Sequence, residues 1–458
     1  MTITDRLSEF VAGLSVSDIP ADVILRARML VLDCVGSIVR ARHDSESTPA
    51  LLAVVTATGL DHGSAHVFGD PAGYAPAAAV LLNASLAHSL DFDDTHAEAI
   101  MHAAAPIVPA ALGAAEIVAA SGADTLAGIV AGYEAGLRVA LALPAGAHYD
   151  RGFHPSATCG AFGAAAAAAR VLGLDAASTA SAFGIVLSQT AGSLQFLANG
   201  AWTKRFQVGW AGMAGFMAAM LAREGFKGAA EPIEGKHGFL RAYAPAPEPE
   251  RVLAGLTTEW ELMRTGVKPY PSCRWAHAGI DAALSLREMH GLRAGAIQSA
   301  TLGISRAGML LVGQPAERKA APGNIVDAQF SGPFVIASAL ATGKVDWGSY
   351  GLLNDPKIRS LMQRIACEND PEIEAEFPAN MSGKLTVKAE GQTYTKTVIV
   401  PKGEPDNFLS ESELHAKFSS LADAVLGDER AARLADAVLT LDQLNAATTL
   451  FESSSPVN

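Results

Sequence analysis

"GAFGAAAAAARVLGLD", residues 160–175, decides what kind of protein this is. The alanine run at 164–169 combines the strongest helix propensity with no polar side-chain atom to solvate, so it predicts a tightly packed buried helix. The same texture continues on both sides. "ADVILRARMLVLDCVGSIVRA" (21–41), "DTLAGIVAGYEAGLRVALAL" (124–143) and "GWAGMAGFMAAMLAREGF" (209–226) place apolar residues at three- and four-residue spacing between Gly, Pro and Ser breaks. From about residue 4 to 265 the chain reads as helical, with small faces that let helices approach closely.

After "RTGVKPYPSC" the pattern changes. "QSATLGISR" (298–306) reads as a strand, and "SGKLTVKAEGQTYTKTVIVP" (382–401) alternates around a Gly-containing turn as a β-hairpin does. Helical patterns lie between them at 328–342 and 356–367. From Ser410 the chain is helical again, opening on a capping-box-like S-x-x-E. The expected fold is multidomain and mainly α. A large all-helical domain, 1–267 completed by 403–458, accompanies a smaller α+β lid domain at 268–402.

At 458 residues the length itself argues for more than one core. The charge of −13 argues against nucleic acid, which requires a basic face for its phosphates. Cys34, Cys159, Cys273 and Cys367 are scattered without C-x-x-C spacing, which speaks against a disulfide framework or a structural zinc site. The N-terminus has no signal-peptide core, and uncharged stretches such as 207–222 fall short of the roughly 20 residues of a spanning helix. A cytoplasmic protein with no membrane partner is expected.

The chemistry gathers in "HSLDFDDTH" (88–96), where His88, Asp91, Asp93, Asp94 and His96 crowd nine positions, with His102 soon after. As a metal site the stretch matches no i, i+4 histidine pair, so no metal is expected. As helix caps, Asp93, Asp94 and Thr95 are natural acceptors for backbone N–H groups. As the wall of an active site, an Asp can hold one tautomer of a His that exchanges a proton with substrate. Three cationic segments accompany it: Arg151 and His154 in "RGFHPSATCG", Lys204 and Arg205 in "WTKRFQVGW", and Lys268, Arg274 and His277 in "GVKPYPSCRWAH". Each alone is ordinary surface. Together, in an acidic chain, they suit a small polycarboxylate.

"AHSLDFDDTH", "GFHPSATCGAFGAAAAAARVLGLD", "TKRFQVGWA" and "VKPYPSCRWAHAGIDA" resemble, in order, successive motifs of the MmgE/PrpD family, across nearly the whole chain. The resemblance implies a helical domain with an α+β lid, a homodimer, an active site between domains and no required cofactor. Carried over by position, it implies catalytic roles for Asp91, His102 and His154. It implies substrate-binding roles for Thr95, Lys204 and Lys268, and the acid–imidazole cluster and cationic segments themselves add His96, Cys273, Arg274 and Arg151 as substrate-binding candidates. Three positions depart: Gln207 stands where family members often have His, Cys273 where the decarboxylase branch has His, and Met309 where that branch has Tyr.

The family's activities include 2-methylcitrate dehydration, cis-aconitate decarboxylation and iminodisuccinate epimerisation. All begin with proton transfer at a carbon beside a carboxylate, while cations stabilise the charge that develops. The departures weigh against decarboxylation. The expectation is epimerisation, as in the family's shorter epimerase branch, with a dehydratase-type hydro-lyase as the alternative. A metal-dependent hydro-lyase and a non-catalytic carboxylate-binding homologue remain as readings of a different class.

Overall fold

The computed structural model describes residues 1–454. They form two compact units, Met1–Gly266 with the segment from Glu411 onward, and Val267–Ser410. The chain leaves the second unit at Ser410 and not near 403, because residues 401–410 stay tied to its beginning. Val267 N–H donates to the Gly403 carbonyl at 2.9 Å, and Gly403 N–H donates to that of Asn407 at 2.9 Å.

The first unit is a stack of helices whose closest crossings are lined by small residues. Helices Gly122–Leu141, Gly160–Val171 and Thr203–Arg223 cross so closely that glycine is required at the contacts. A Cβ added at Gly132 would stand 2.8 Å from the Ala167 Cβ, and one at Gly215 would stand 2.5 Å from that of Ala164. Residues 164–169 are fully buried, as their composition predicts. Helix Ala104–Val118 closes another side, with Ile107 lying where a Cβ on Gly163 would fall. Two two-residue antiparallel ribbons break the all-helical pattern, Ala65–His66 with Gly73–Tyr74 and Thr95–His96 with Thr265–Gly266.

The second unit carries a four-stranded sheet in the order Ile365–Asn369, Ile297–Ile304, Gly383–Ala389, Gln392–Val398. The first pair is parallel and the other two are antiparallel. The hairpin turns at Glu390 and Gly391, both with positive φ (54° and 78°), the backbone that a tight two-residue hairpin turn needs. The expected helix at 356–367 is corrected: Pro356–Met362 is helical, but Ile365–Asn369 is a strand. A short apolar run such as "IAC" suits either state, and the long-range pairing with Ile297–Ile304 decides it. The expected helix at 328–342 is also broken, into Ile325–Gln329 and Gly332–Thr342. Ser331 caps the second piece and Pro333 fits its first turn. No helix of the described residues is long and apolar enough to cross a membrane.

Candidate active site

Helix Pro76–Ala87 ends at His88, and the chain then turns through Leu90–Asp94 into the Thr95–His96 ribbon and on to helix Ala104–Val118. Asp91 makes that turn in the left-handed region, φ 53°, a conformation Asp tolerates better than most residues. From there its carboxylate meets the Lys204 ammonium at 2.6 Å. Burial pulls the Lys204 pKa down, but Asp91 and Asp93 outweigh it, so the ammonium is held charged above its ordinary value.

The turn places Asp93 against imidazoles. His88 Nδ1 donates to Asp93 Oδ2 at 2.6 Å, and His102 Nδ1 lies 3.6 Å from Asp93 Oδ1. The His88 and His102 ring centres are 4.9 Å apart, and those of His88 and His154 are 5.7 Å apart. The family resemblance gave Asp91 a catalytic role beside His102 and His154. In the structure Asp91 binds Lys204, and the carboxylate beside the rings is Asp93. His88 and Asp93 were legible as part of the cluster but not as its centre.

One backbone contact sets the chemistry of His102. Its Nδ1 lies 2.7 Å from the Asp94 carbonyl, which can only accept, so in the neutral ring Nδ1 carries the proton and Nε2 the lone pair. The Thr95 hydroxyl stands 3.3 Å from the same nitrogen. The Asp94 carboxyl caps helix Ala104–Val118, accepting the Ala104 N–H at 3.1 Å and the Tyr133 hydroxyl at 2.8 Å. That is the capping role expected of this acid. Tight burial, with the Asp93 charge adding to it, raises the Asp94 pKa to about 8.

This carboxyl has a consequence for stability. Between 3.8 and about 8 the unfolded chain releases the Asp94 proton while the folded chain keeps it, so stability falls as pH rises through that window. Thermal midpoints of the wild type should decline from pH 5 to 8, and those of Asp94→Asn should decline less. Parallel slopes for the two proteins would show that Asp94 is ionised in the fold.

His154 is nine-tenths buried or more, at the N-terminus of the short helix Pro155–Thr158. Burial, reinforced by His88, Lys204 and His102, pushes its pKa well below the ordinary value and keeps the ring neutral. His88 is likewise depressed, chiefly by burial and against the pull of Asp93. Its Nε2 is buried without a hydrogen-bond partner among the described residues.

His88, Asp93 and His102 each offer a ligand atom within 4.8 Å of the others and so could hold a metal ion. The nitrogens nearest the carboxylate are already engaged, His88 Nδ1 by Asp93 and His102 Nδ1 as a donor to a carbonyl. The arrangement therefore reads as a hydrogen-bonded acid–base cluster.

The remaining expected residues divide by location. Both nitrogens of His96 are taken: Nδ1 accepts from Ala99 N–H at 3.1 Å, and Nε2 lies 3.4 Å from Glu261. His96 thus braces its own turn. Arg151 is exposed at the end of helix Ala145–Asp150. Arg205 reaches the Ser45 and Ser47 hydroxyls at 3.3 Å. Lys268, Cys273 and Arg274 open the second unit, where Lys268 and Cys273 are buried and Arg274 is paired with Glu404. Met309 begins a single π-turn, Met309–Gly313.

Residues 5–252 match the MmgE/PrpD N-terminal domain, and residues 270–443 match the MmgE/PrpD C-terminal domain. The cis-aconitate decarboxylase-like protein oryM of Aspergillus oryzae is 30% identical, covering 96% of this chain and 94% of the relative. Cis-aconitate decarboxylase of Aspergillus terreus is 26% identical over 98% of this chain and 95% of its own. That of Homo sapiens is 25% identical over 99% and 95%.

Proposed function

From the premise that this chain belongs to the MmgE/PrpD family, we propose that it is a lyase removing the proton beside a carboxylate of a small polycarboxylic acid. The observation that carries this reading is His102, whose Nδ1 proton on the Asp94 carbonyl leaves a basic lone pair on Nε2. In the reaction His102 Nε2 takes the C–H proton, and the electron pair moves toward the carboxylate as an enolate-like anion. Lys204, held charged beside Asp91, offsets that negative charge. The enolate electron pair then expels the β-hydroxyl, which takes the proton back from the His102 imidazolium and leaves as water, giving an unsaturated acid.

The relatives named above are decarboxylases or decarboxylase-like, which favours a lyase over an epimerase. Cys273 and Met309, standing where the decarboxylase branch has His and Tyr, favour loss of water over loss of carbon dioxide. We therefore read the chain as a hydro-lyase of the dehydratase type. Epimerisation, the expectation from sequence, needs a second proton-transfer group across the carbon, and it remains the second reading.

Di-, tri- and tetracarboxylic acids incubated with the protein in deuterated water separate these outcomes. Dehydration gives deuterium exchange with a rising ultraviolet alkene band. Exchange without alkene makes the protein an epimerase, and released carbon dioxide makes it a decarboxylase. No exchange with any acid overturns the proton-abstraction reading. Since the cluster is bonded through its own residues, activity should survive dialysis against a chelator, and its loss would restore the metal-dependent alternative.

The partner proposed is a second copy. On helix Thr203–Arg223 and its cap, Trp202, Phe206, Trp210, Met217 and Leu221 are exposed at near-helical spacing with no charge among them. A chain of charge −13 repels its copies except through an uncharged face of this kind. Sedimentation should show a dimer that Trp210→Glu converts to monomer, and a monomeric wild type at micromolar concentration would refute it.

A further inference from the structure

Gln207 lies one helical turn from Lys204, and its amide is fixed from two sides. Oε1 accepts the Ser193 N–H at 3.0 Å, while Nε2 donates to the Ser193 carbonyl at 3.2 Å and to His154 Nδ1 at 2.8 Å. The Ser193 peptide presents both a donor and an acceptor to this amide, so only one orientation of the amide satisfies both. Ser193 is itself registered to the histidine. Leu194 N–H donates to the Gly152 carbonyl at 2.8 Å, and His154 N–H donates to the Gly192 carbonyl at 3.1 Å. Residues 152–154 and 192–194 thus run side by side as a short antiparallel pairing, and the histidine and its clamp are set by the same backbone.

We propose that Gln207 is a positioning residue that holds His154 as the neutral Nε2–H tautomer, making His154 a hydrogen-bond donor to substrate and not a proton-abstracting base. A donor at Nδ1 requires the lone pair there, so the ring proton sits on Nε2. Protonating Nδ1 as well would set N–H against N–H. It would also add charge next to His88, His102 and Lys204, with Asp93 the acid that opposes this. Phe196 meets the ring edge-on and adds no charge. The two catalytic imidazoles therefore present opposite Nε2 atoms, a lone pair on His102 and an N–H on His154.

This rests on the proton-transfer reading above and assigns its parts. As His102 Nε2 takes the proton from carbon, the electron pair flows to a carboxylate oxygen, and the His154 Nε2–H shortens its hydrogen bond to that oxygen. No proton leaves His154, because its loss would leave an imidazolate. One base with one fixed donor suits elimination, and it withholds from His154 the second-base role that epimerisation requires.

The test reads nitrogen chemical shifts and kinetics together. In uniformly 15N-labelled protein, His154 should show a pyridine-like Nδ1 and a pyrrole-like Nε2 that persist from pH 8 to pH 5. Gln207→Glu replaces the donor with a carboxylate, so Nδ1 should become protonated. Turnover should then fall about 10²- to 10³-fold, the usual loss for one oxyanion donor. That loss should appear in kcat more than in KM, and the thermal midpoint checks that the fold is kept. Gln207→Leu, which neither donates nor accepts, should leave the buried ring neutral but free its tautomer, so that the two His154 nitrogen shifts move toward each other and kcat falls. A pyrrole-like Nδ1 in the wild type overturns the proposal, as does a Gln207→Glu variant with unchanged His154 shifts and turnover. If no polycarboxylate shows exchange, the reaction reading fails by itself, and the nitrogen shifts still decide the tautomer.

Discussion

His102→Asn lowers turnover by about 10²- to 10⁴-fold, the usual contribution of a positioned general base. The loss falls on kcat and kcat/KM together, because the ring's lone pair acts on a proton that moves only in the transition state. Folding should change little. The His102 ring is partly exposed, and its hydrogen bond to the Asp94 carbonyl contributes about 1 kcal/mol. The backbone N–H of residue 102 keeps its bond to Ser156 Oγ, 3.0 Å long, in the variant. His96→Asn is the control from the same motif, because His96 accepts the Ala99 N–H of its own turn and faces Glu261, and among the described residues it is bonded to none of the other rings. It should lower the thermal midpoint and leave per-molecule turnover within a few-fold of wild type. Turnover of the His102 variant within tenfold of wild type would remove it as the base.

The contrast between those two histidines shows how far the sequence could be read. Helical periodicity and small-residue faces are local properties, and they predicted helices at 21–41, 124–143, 160–175 and 209–226 close to where the chain forms them. The 88–96 motif likewise announced an acid–imidazole cluster, since residues so near in sequence must be near in space. Which acid meets which ring is a different matter. It depends on Asp91 adopting a left-handed backbone, which sends its carboxylate to Lys204 and leaves Asp93 to the rings. No pattern in the motif encodes that turn. Gln207 had a readable signal, a polar residue three places after Lys204 on one helix face, but its partner Ser193 could not be inferred from spacing. The strand Ile365–Asn369 was missed because its pairing partner is distant in sequence and its own residues suit a helix.

A second signal was present and passed over: Lys417 sits among Leu414, Phe418 and Leu421, at a position where a helix of this unit should carry an apolar residue. The structure explains the exception. Lys417 is buried, pairs with buried Asp33 of helix Ala21–Asp44, donates to the Phe92 carbonyl at 2.8 Å, and stands 3.7 Å above the Phe92 ring. A buried ammonium placed this way anchors the turn that carries Asp91 and Asp93 from beneath. Lys417→Met should cost about 3–5 kcal/mol in chemical denaturation, because it leaves the Asp33 carboxylate buried without its countercharge. Turnover should fall as well, since the Phe92 carbonyl loses its donor and the acidic turn is free to shift. The double variant Asp33→Leu, Lys417→Met separates the two effects. An apolar pair in place of a buried ion pair commonly restores stability, so most of the lost free energy should return. The Phe92 carbonyl still lacks its donor, so turnover should stay low. Recovery of both would reduce Lys417 to a structural countercharge, and recovery of neither would place its main contribution at Phe92.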